Sequence, residues 1–378
     1  MLRLPEELEA FRAELHKAVE KRIVPLGPQI ERTKGVVPEL LEIVRDLEIT
    51  QIPFPSEVGG SDGTYLAYVV ALEELARGSN VAASYASIQM ARTLGRVGTP
   101  AQIEEWVPRL VRSEIMGCWA FTEPQTGSDP AQIETRAVQD GSDWIISGQK
   151  MFISFAHYAA VAMVFAKVHS GRLGVFLVDT TTPGWNPGEP IDVASGHLDT
   201  SPVFLDDIRL PADAVVGDVE RGFEALVANE AETKVGGGAS AVGMSQRALE
   251  EATRFALTRT HRGTPIGRKF PSIQGLLGDM ASGVLAARAM TRSLADLVDH
   301  GERIDKEAAA LKLFASRTAR EVTSNALQVC GAYGLTADMP LLPLYRETKT
   351  GEVLGGVAEI QRIIVARETM KEFELLNS

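Results

Sequence analysis

CWAFTEPQTGSDP, residues 118–130, opens on apolar residues and runs into Thr, Glu, Pro, Gly, Ser and Asp. The first half reads as a strand and the second as the turn that ends it. Backbone N–H groups in such a turn can converge on an anion or a carbonyl oxygen. Thr122 and Ser128 add hydroxyls. An ordinary strand-ending turn has the same composition, so the stretch matters first for where it falls. The texture of the chain changes here.

Before it, residues 1–115 read as helices. PEELEAFRAELHKAVEKRIV (5–24) repeats apolar residues every three to four positions behind Pro5. VPELLEIVRDLEI, TYLAYVVALEELARGS, VAASYASIQMARTLGRVG and PAQIEEWVPRLVRSE read as one helix each, with PFPSEVGGSDG (53–63) as a loop. From about residue 116 to 216 come short runs rich in β-branched and aromatic residues: GCWAFT, ETRAVQD, DWIISG, QKMFIS, VAMVFAKV, GVFLVDT and VFLDDIRL. They are strands, most simply of an antiparallel barrel or sandwich. Long helical periodicities return after GDVERGF and run to the C-terminus. The order is an all-α domain (1–115), a β-barrel domain (116–216) and a four-helix bundle (217–378), an α+β chain.

Composition narrows the partners. The 378 residues are 45% hydrophobic and 23% charged, ordinary values for a globular protein. A formal net charge of −12 argues against a nucleic-acid or anionic-membrane surface. Two cysteines, Cys118 and Cys330, sit in apolar surroundings and form no disulfide framework, which points to the cytoplasm. The charged N-terminus is no signal peptide, and no apolar run is long enough to span a membrane. No metal-ligand pattern stands out.

AFTEPQTGSD, WIISGQKMFIS, GMSQRALEEATRFALTRT, AAALKLFASRTAREVTSNALQVCGAYG and EIQRIIVAR, in this order and spacing, resemble the acyl-CoA dehydrogenase family over essentially the whole chain. The resemblance implies FAD held between barrel and bundle. It also implies an acyl thioester, on CoA or on a carrier protein, stacked on the flavin. A homotetramer built as a dimer of dimers, and an electron-transfer flavoprotein as electron acceptor, belong to the same picture. Carried over by position, Phe121 and Thr122 meet the flavin pyrimidine edge and Ser128 the pyrophosphate. Phe152 and Ser154 lie near flavin N5 and the dimethylbenzene side. Arg259, Gln328, Gly331 and Ala332 approach the FAD of a partner subunit, and Glu359 touches its phosphate or ribose. Gln89, Arg92, Thr233, Lys234, Gly355 and Gly356 fall on the substrate side.

The resemblance breaks where the family keeps its catalytic glutamate. Arg346 and Lys349 fix the register, and the line reads Val353, Leu354, Gly355, Gly356, Val357, Ala358, Glu359. Gly355 therefore stands at the base position and Val357 at that of the usual threonine. One branch of the family, resembling isovaleryl-CoA dehydrogenase, moves the glutamate to the helix that opens the bundle. Counting back from Gly243 puts Thr233 there, with Lys234 in place of an arginine and Glu232 one residue off. Glycine cannot take a proton, and a positioned base contributes about 10²–10⁴-fold.

Three readings follow. A relocated base keeps the redox chemistry, with Glu232, Glu230 or Tyr85 as candidates. A lyase, desulfinase or cyclase without net oxidation needs a cation instead, and Arg92, Arg96 or Lys234 could supply one. A non-catalytic partner subunit of a hetero-oligomer is the third. RTHRG (259–263) places Arg262 where the family has phenylalanine, and one extra residue precedes FP (270–271).

Overall fold

The structure is a computed structural model that describes residues 4–33, 35–193 and 198–376. Seven helices come first: α1 Glu6–Arg22, α2 Gly27–Arg32, α3 Pro38–Asp46, α4 Tyr65–Gly78, α5 Asn80–Tyr85, α6 Gln89–Val97 and α7 Pro100–Val111. The strands are β1 Met116–Ala120, β2 Arg136–Asp140, β3 Asp143–Ile153, β4 Ala159–Lys167, β5 Leu173–Asp179, β6 Trp185–Pro187 and β7 Ser201–Leu210. Then follow α8 Gly222–Val227, α9 Glu230–Thr258 and a small hairpin, β8 Thr260–His261 with β9 Thr264–Pro265. α10 Ile266–Lys269, α11 Pro271–Asp299, α12 Asp305–Cys330, α13 Leu341–Val353 and α14 Ala358–Leu376 complete the chain.

These elements form two compact units that interleave along the sequence. The helical unit gathers residues 1–31, 64–84 and 231–378. α12 is its spine, packing on α11, α13 and α14, while α4 packs on α1 and α11. α4 is buried along nearly its whole length, which explains why its sequence is apolar all round. Its three charges are paired rather than solvated. Glu73 meets Arg288 (2.7 Å) and Arg292 (3.1 Å). Glu74 meets Arg12 (3.0 Å) and Arg77 (3.1 Å), and Arg77 reaches Glu20 (2.7 Å) and Glu250 (2.9 Å). Buried charges persist only when satisfied in this way.

The second unit holds residues 32–63 and 85–230. Seven strands hydrogen-bond into one sheet in the order β1-β4-β2-β3-β7-β6, with β5 on β4. Ile146, Ile153, Val164, Phe176, Val178, Val203, Leu205 and Ile208 belong to an apolar core in this unit. The sheet is not wholly antiparallel, as the run of short strands suggests. β1 and β4 pair in parallel through Gly117↔Val161 to Ala120↔Val164. Parallel neighbours need a long connection rather than a hairpin, and β1 leaves the sheet through the loop of residues 121–135 before β2 begins. DWIISG and QKMFIS prove to be one strand, β3, of 11 residues.

The helix expected over 81–98 is also two pieces, α5 and α6, broken around Ser87. Cys118 and Cys330 are buried free thiols, and burial raises the pKa of both. Among the described residues no helix is long and apolar enough to cross a membrane, and no group of His, Cys, Asp and Glu is placed to hold a metal.

Candidate functional site

In the sheet unit, the turn that follows β1 is built around a buried ion pair. Glu123 Oε1 accepts from Lys150 Nζ at 2.8 Å, and their side chains are 1% and 0% exposed. The Glu123 carboxylate also accepts from the backbone N–H of Glu134 (2.6 Å) and Thr135 (3.0 Å) and from Gln125 Nε2 (2.8 Å). Lys150 Nζ in turn donates to the carbonyls of Phe165 (2.6 Å) and Phe121 (3.3 Å). One carboxylate thus gathers both ends of the 121–135 loop, and one ammonium ties it to β3 and β4. Burial works to raise the Glu123 carboxyl, but the Lys150 charge and the Glu134 N–H hold it below its ordinary value. Burial pulls Lys150 down to about 8, against the opposing pull of Glu123.

The sequence reading passed over both residues. A signal was there: Lys150 falls in the period-two register of Ile146, on the inward face of a strand. A lysine at such a place needs a buried partner.

β3 carries an irregularity in its pairing with β7 between Lys150 and Ile153. Phe152 lies within it in the left-handed region, φ +59°, and is 50% exposed. A bulge re-aims a side chain, and a bulky residue at positive φ is strained and characteristic of functional sites. Ser154 follows half-buried. Phe121 is half-buried against Phe165 in edge contact (5.2 Å), the Thr122 carbonyl accepts from Met151 N (2.8 Å), and Ser128 is exposed. The residues assigned to the flavin ring therefore share one rim of the sheet unit, where Thr122 bonds the residue next to Phe152.

Other predicted residues of this unit have structural partners. The Tyr85 phenol accepts from Val37 N (2.8 Å) and lies edge-on to Phe155 (5.8 Å). Burial pushes it up to about 12, the Val37 bond opposing. A phenol so held is a poor proton acceptor near neutrality. Arg92 bonds the Pro53 carbonyl (3.4 Å) and stands over the Phe54 ring (5.9 Å), and Arg96 bonds the Ala228 carbonyl (2.5 Å). Gln89 opens α6, half-buried.

In the helical unit, the turn between α13 and α14 holds Gly355 and Gly356 at φ +62° and +83°, both exposed. Glycine is the residue that takes two consecutive left-handed positions without strain. The turn is clamped from both sides. Lys312 Nζ donates to the carbonyls of Gly351 (2.6 Å) and Leu354 (2.8 Å), and buried Gln361 Nε2 donates to that of Gly356 (3.1 Å). A Cβ added at Gly355 would have one neighbour within 4 Å, Lys312 Nζ at 3.9 Å. Glu359 begins α14, exposed and paired with Arg362 (3.0 Å).

Glu230, Glu232, Thr233 and Lys234 occupy the first turns of α9. Glu232 and Lys234 are buried, Glu230 and Thr233 half-buried. The Glu232 carbonyl is fixed by the Tyr65 hydroxyl at 2.6 Å. At another end of this unit, Gln328, Gly331 and Ala332 are exposed where α12 ends. Arg259 stands over the ring of Tyr333 (5.8 Å), which also meets Phe255 (5.7 Å). That contact brings Arg259 beside the Gly331–Ala332 segment. Residues 259–269 hold Arg259, Arg262, Arg268 and Lys269 and no acid, a local cationic patch in a chain of net charge −12.

Comparisons with known proteins agree with this arrangement. Family profiles for the N-terminal, middle and C-terminal domains of acyl-CoA dehydrogenases match residues 5–114, 118–208 and 220–370. The chain is 32% identical to the short-chain specific acyl-CoA dehydrogenase of Bos taurus mitochondria, covering 98% of this chain and 92% of that one. It is also 32% identical to the acryloyl-CoA reductase (NADH) of Anaerotignum propionicum, over 97% of this chain and 95% of that one. Among solved structures, glutaryl-CoA dehydrogenase of Mycobacterium smegmatis in complex with FADH2 superposes with a TM-score of 0.91. It shares 25% identity over 97% of this chain and 95% of that one. The chain belongs to the acyl-CoA dehydrogenase family.

Proposed function

We propose that this protein is an FAD-dependent oxidoreductase of acyl thioesters that works without a carboxylate at position 355. The observation that carries the reading is the rim of the sheet unit. Exposed Phe152 is strained into a left-handed bulge beside a loop tied down by the buried Glu123–Lys150 pair. Strain at an exposed aromatic is retained where a ligand uses it, and a flat ring fits the isoalloxazine. The cationic patch of residues 259–269 fits the phosphates of a dinucleotide, here the FAD of a neighbouring copy. Purified protein is expected to be yellow and to release stoichiometric FAD on heating. Colourless protein that takes up no FAD on dialysis would overturn the reading.

When bound, FAD supplies the hydride acceptor; this chain's residues have to bind the thioester and move its α-proton. Gly355 cannot. Of the three candidate bases, Tyr85 is pinned as an acceptor and pushed up to about 12, and Glu230 opens its helix half-buried. Glu232 is buried in the unit that carries the Gly355–Gly356 turn, with its backbone anchored by Tyr65. We assign the base role to Glu232. The relatives include both a dehydrogenase and a reductase by name, so the assignment covers proton transfer at the α-carbon in either direction.

The cations weighed for a non-oxidative reaction all have structural partners, and nothing favours that reading. The partner-subunit reading has one observation behind it, Arg262 and the extra residue in the 259–271 hairpin. Arg259→Ala separates the two. An FAD-binding homo-oligomer is expected to lose about tenfold in FAD affinity, as for one charge-assisted hydrogen bond, with an unchanged apoprotein melting temperature. No change in FAD affinity would favour the partner subunit.

Ile363, Met370 and Phe373 make an exposed apolar stripe on α14, at 51%, 60% and 68% exposure. Such a stripe is an association surface and fits the tetramer that the resemblance implies. We place the protein in the cytoplasm, where its two free thiols stay reduced, with an electron-transfer flavoprotein as the candidate electron acceptor.

A further inference from the structure

In the sheet unit, the turn that follows β3 is held by a buried carboxylate. Asp199, just ahead of β7, is 2% exposed. Its Oδ2 accepts from the backbone N–H of His157 at 2.7 Å. The His157 ring lies against the same group, with Nδ1 2.9 Å from Oδ1 and 3.1 Å from Oδ2. Ser201 Oγ donates to Oδ1 at 3.4 Å. The turn is also fixed by its own backbone. Phe155 O accepts from Tyr158 N (3.0 Å) and Ala159 N (2.8 Å), and Phe155 N donates to Leu198 O (2.7 Å). Eight described non-glycine residues have positive φ, and three of them, Phe152, Phe155 and Asp199, lie in or beside this turn. Left-handed backbone gathered in this way persists where the surroundings over-determine it, and it marks functional sites.

A single bond from Asp199 to the His157 N–H would close the turn. The second bond, to the ring, decides which nitrogen carries the proton. A carboxylate only accepts, so Nδ1–H points at Asp199 and the lone pair of the neutral imidazole sits on Nε2. Among the described residues Nε2 has no hydrogen-bond partner, and the His157 side chain is 37% exposed. A base is thus oriented by a buried anion and open to solvent. Three positions earlier Ser154 is half-buried, and among the described residues its hydroxyl has no partner either.

We infer that His157, oriented by Asp199, is the proton relay at the N5 edge of the flavin and serves the step in which reduced flavin is reoxidised. The inference rests on the FAD reading above, with Ser154 near N5. In that step two electrons pass to two molecules of a one-electron acceptor, the N5–H bond breaks, and His157 Nε2 takes the proton and releases it to solvent. The role is separate from the α-proton transfer assigned to Glu232. Asp199 touches no reacting atom and is a positioning residue.

The test compares wild type, His157→Asn and Asp199→Asn. The first variant places an amide N–H where the ring has Nδ1–H and removes Nε2. The second can still accept from His157 N but donates to Nδ1, which moves the ring proton to Nε2. His157→Asn is expected to keep the FAD affinity and the apoprotein melting temperature of wild type. FAD-loaded protein, reduced with dithionite and mixed with ferricenium in a stopped-flow instrument, should reoxidise about tenfold or more slowly in either variant. Imidazole in the buffer should restore the rate of His157→Asn. Nitrogen-15 spectra of the apoprotein, with His157 identified by its loss in His157→Asn, should show the lone pair on Nε2 in wild type and on Nδ1 in Asp199→Asn. Equal reoxidation rates in all three proteins would overturn the inference. So would a wild-type ring protonated at Nε2, or a slowing that imidazole does not relieve, which would make the pair a clasp for the turn. Wild type that takes up no FAD would instead remove the reading beneath it.

Discussion

Lys150→Met is expected to destabilise the sheet unit by about 3–5 kcal/mol, the range for removing one partner of a buried ion pair. The substitution keeps most of the side-chain volume but leaves Glu123 buried without its cation, in a strand environment where both side chains are essentially unexposed. Domains are stable by only about 5–15 kcal/mol, so the melting temperature should fall by about 10 °C.

Glu123→Gln in the Lys150→Met background is expected to recover part of the loss. The amide oxygen can still accept from one of the two N–H groups, Glu134 or Thr135, which bond different carboxylate oxygens, and the side chain no longer buries a charge. Single and double variants in a thermal melt measure this coupling directly. A loss below about 1 kcal/mol for Lys150→Met would mean that water reaches the pair. Acid should act on the same pair. Because the Glu123 carboxyl is held below its ordinary 4.5 in the folded chain, its contribution is complete above that value. It is lost as the pH falls through the lower folded value. FAD retention should decline in the same acid range, since Glu123 shapes the 121–135 loop.

The second large effect is a gain. Gly355→Glu is expected to accelerate flavin reduction by acyl-CoA by about 10²–10⁴-fold, the usual contribution of a positioned general base. Two structural facts bear on it. The site has room, since the nearest atom to a new Cβ is Lys312 Nζ at 3.9 Å. The backbone resists, since φ at Gly355 is +62° and a side chain in the left-handed region costs about 1–2 kcal/mol. A modest drop in melting temperature should therefore accompany the gain. Lys312, held by two carbonyls of the same turn, lies close enough to favour the ionised form of the new glutamate. Stopped-flow reduction under anaerobic conditions gives the rate. A folded, FAD-loaded variant that is no faster than wild type would show that the reactive end of the site has diverged together with its base.

The sequence carried the element types because the periodicities are strong. α9, α11 and α12 are 26 to 29 residues long, and a pattern repeated over so many turns is hard to mistake. Topology was less legible. β1 and β4 pair in parallel, and the 121–135 loop that leads out of β1 is held by a carboxylate 27 residues from its lysine. No local pattern reports such a pair, although the inward register of Lys150 hints at one.

The break between α5 and α6 escaped for a related reason. Residues around Ser87 have good helical spacing, and tertiary contacts such as that of Tyr85 with Val37 override it. The residues proposed for the flavin rim were named through motif resemblance, and the structure adds one physical observation among them, the left-handed backbone at Phe152. The clamp made by Lys312 and Gln361 on the Gly355–Gly356 turn was invisible. It consists of side chains bonding to backbone carbonyls, and carbonyls leave no trace in a residue pattern.

The most direct test of the central claim is an anaerobic visible spectrum of the FAD-loaded protein, recorded before and after addition of short acyl-CoAs, for wild type and Glu232→Gln. Slow bleaching of the flavin band in wild type, abolished in Glu232→Gln, is the predicted result: the protein oxidises an acyl thioester with a base other than residue 355. A flavin that stays oxidised with every acyl-CoA, or one that bleaches equally fast in both proteins, would contradict it.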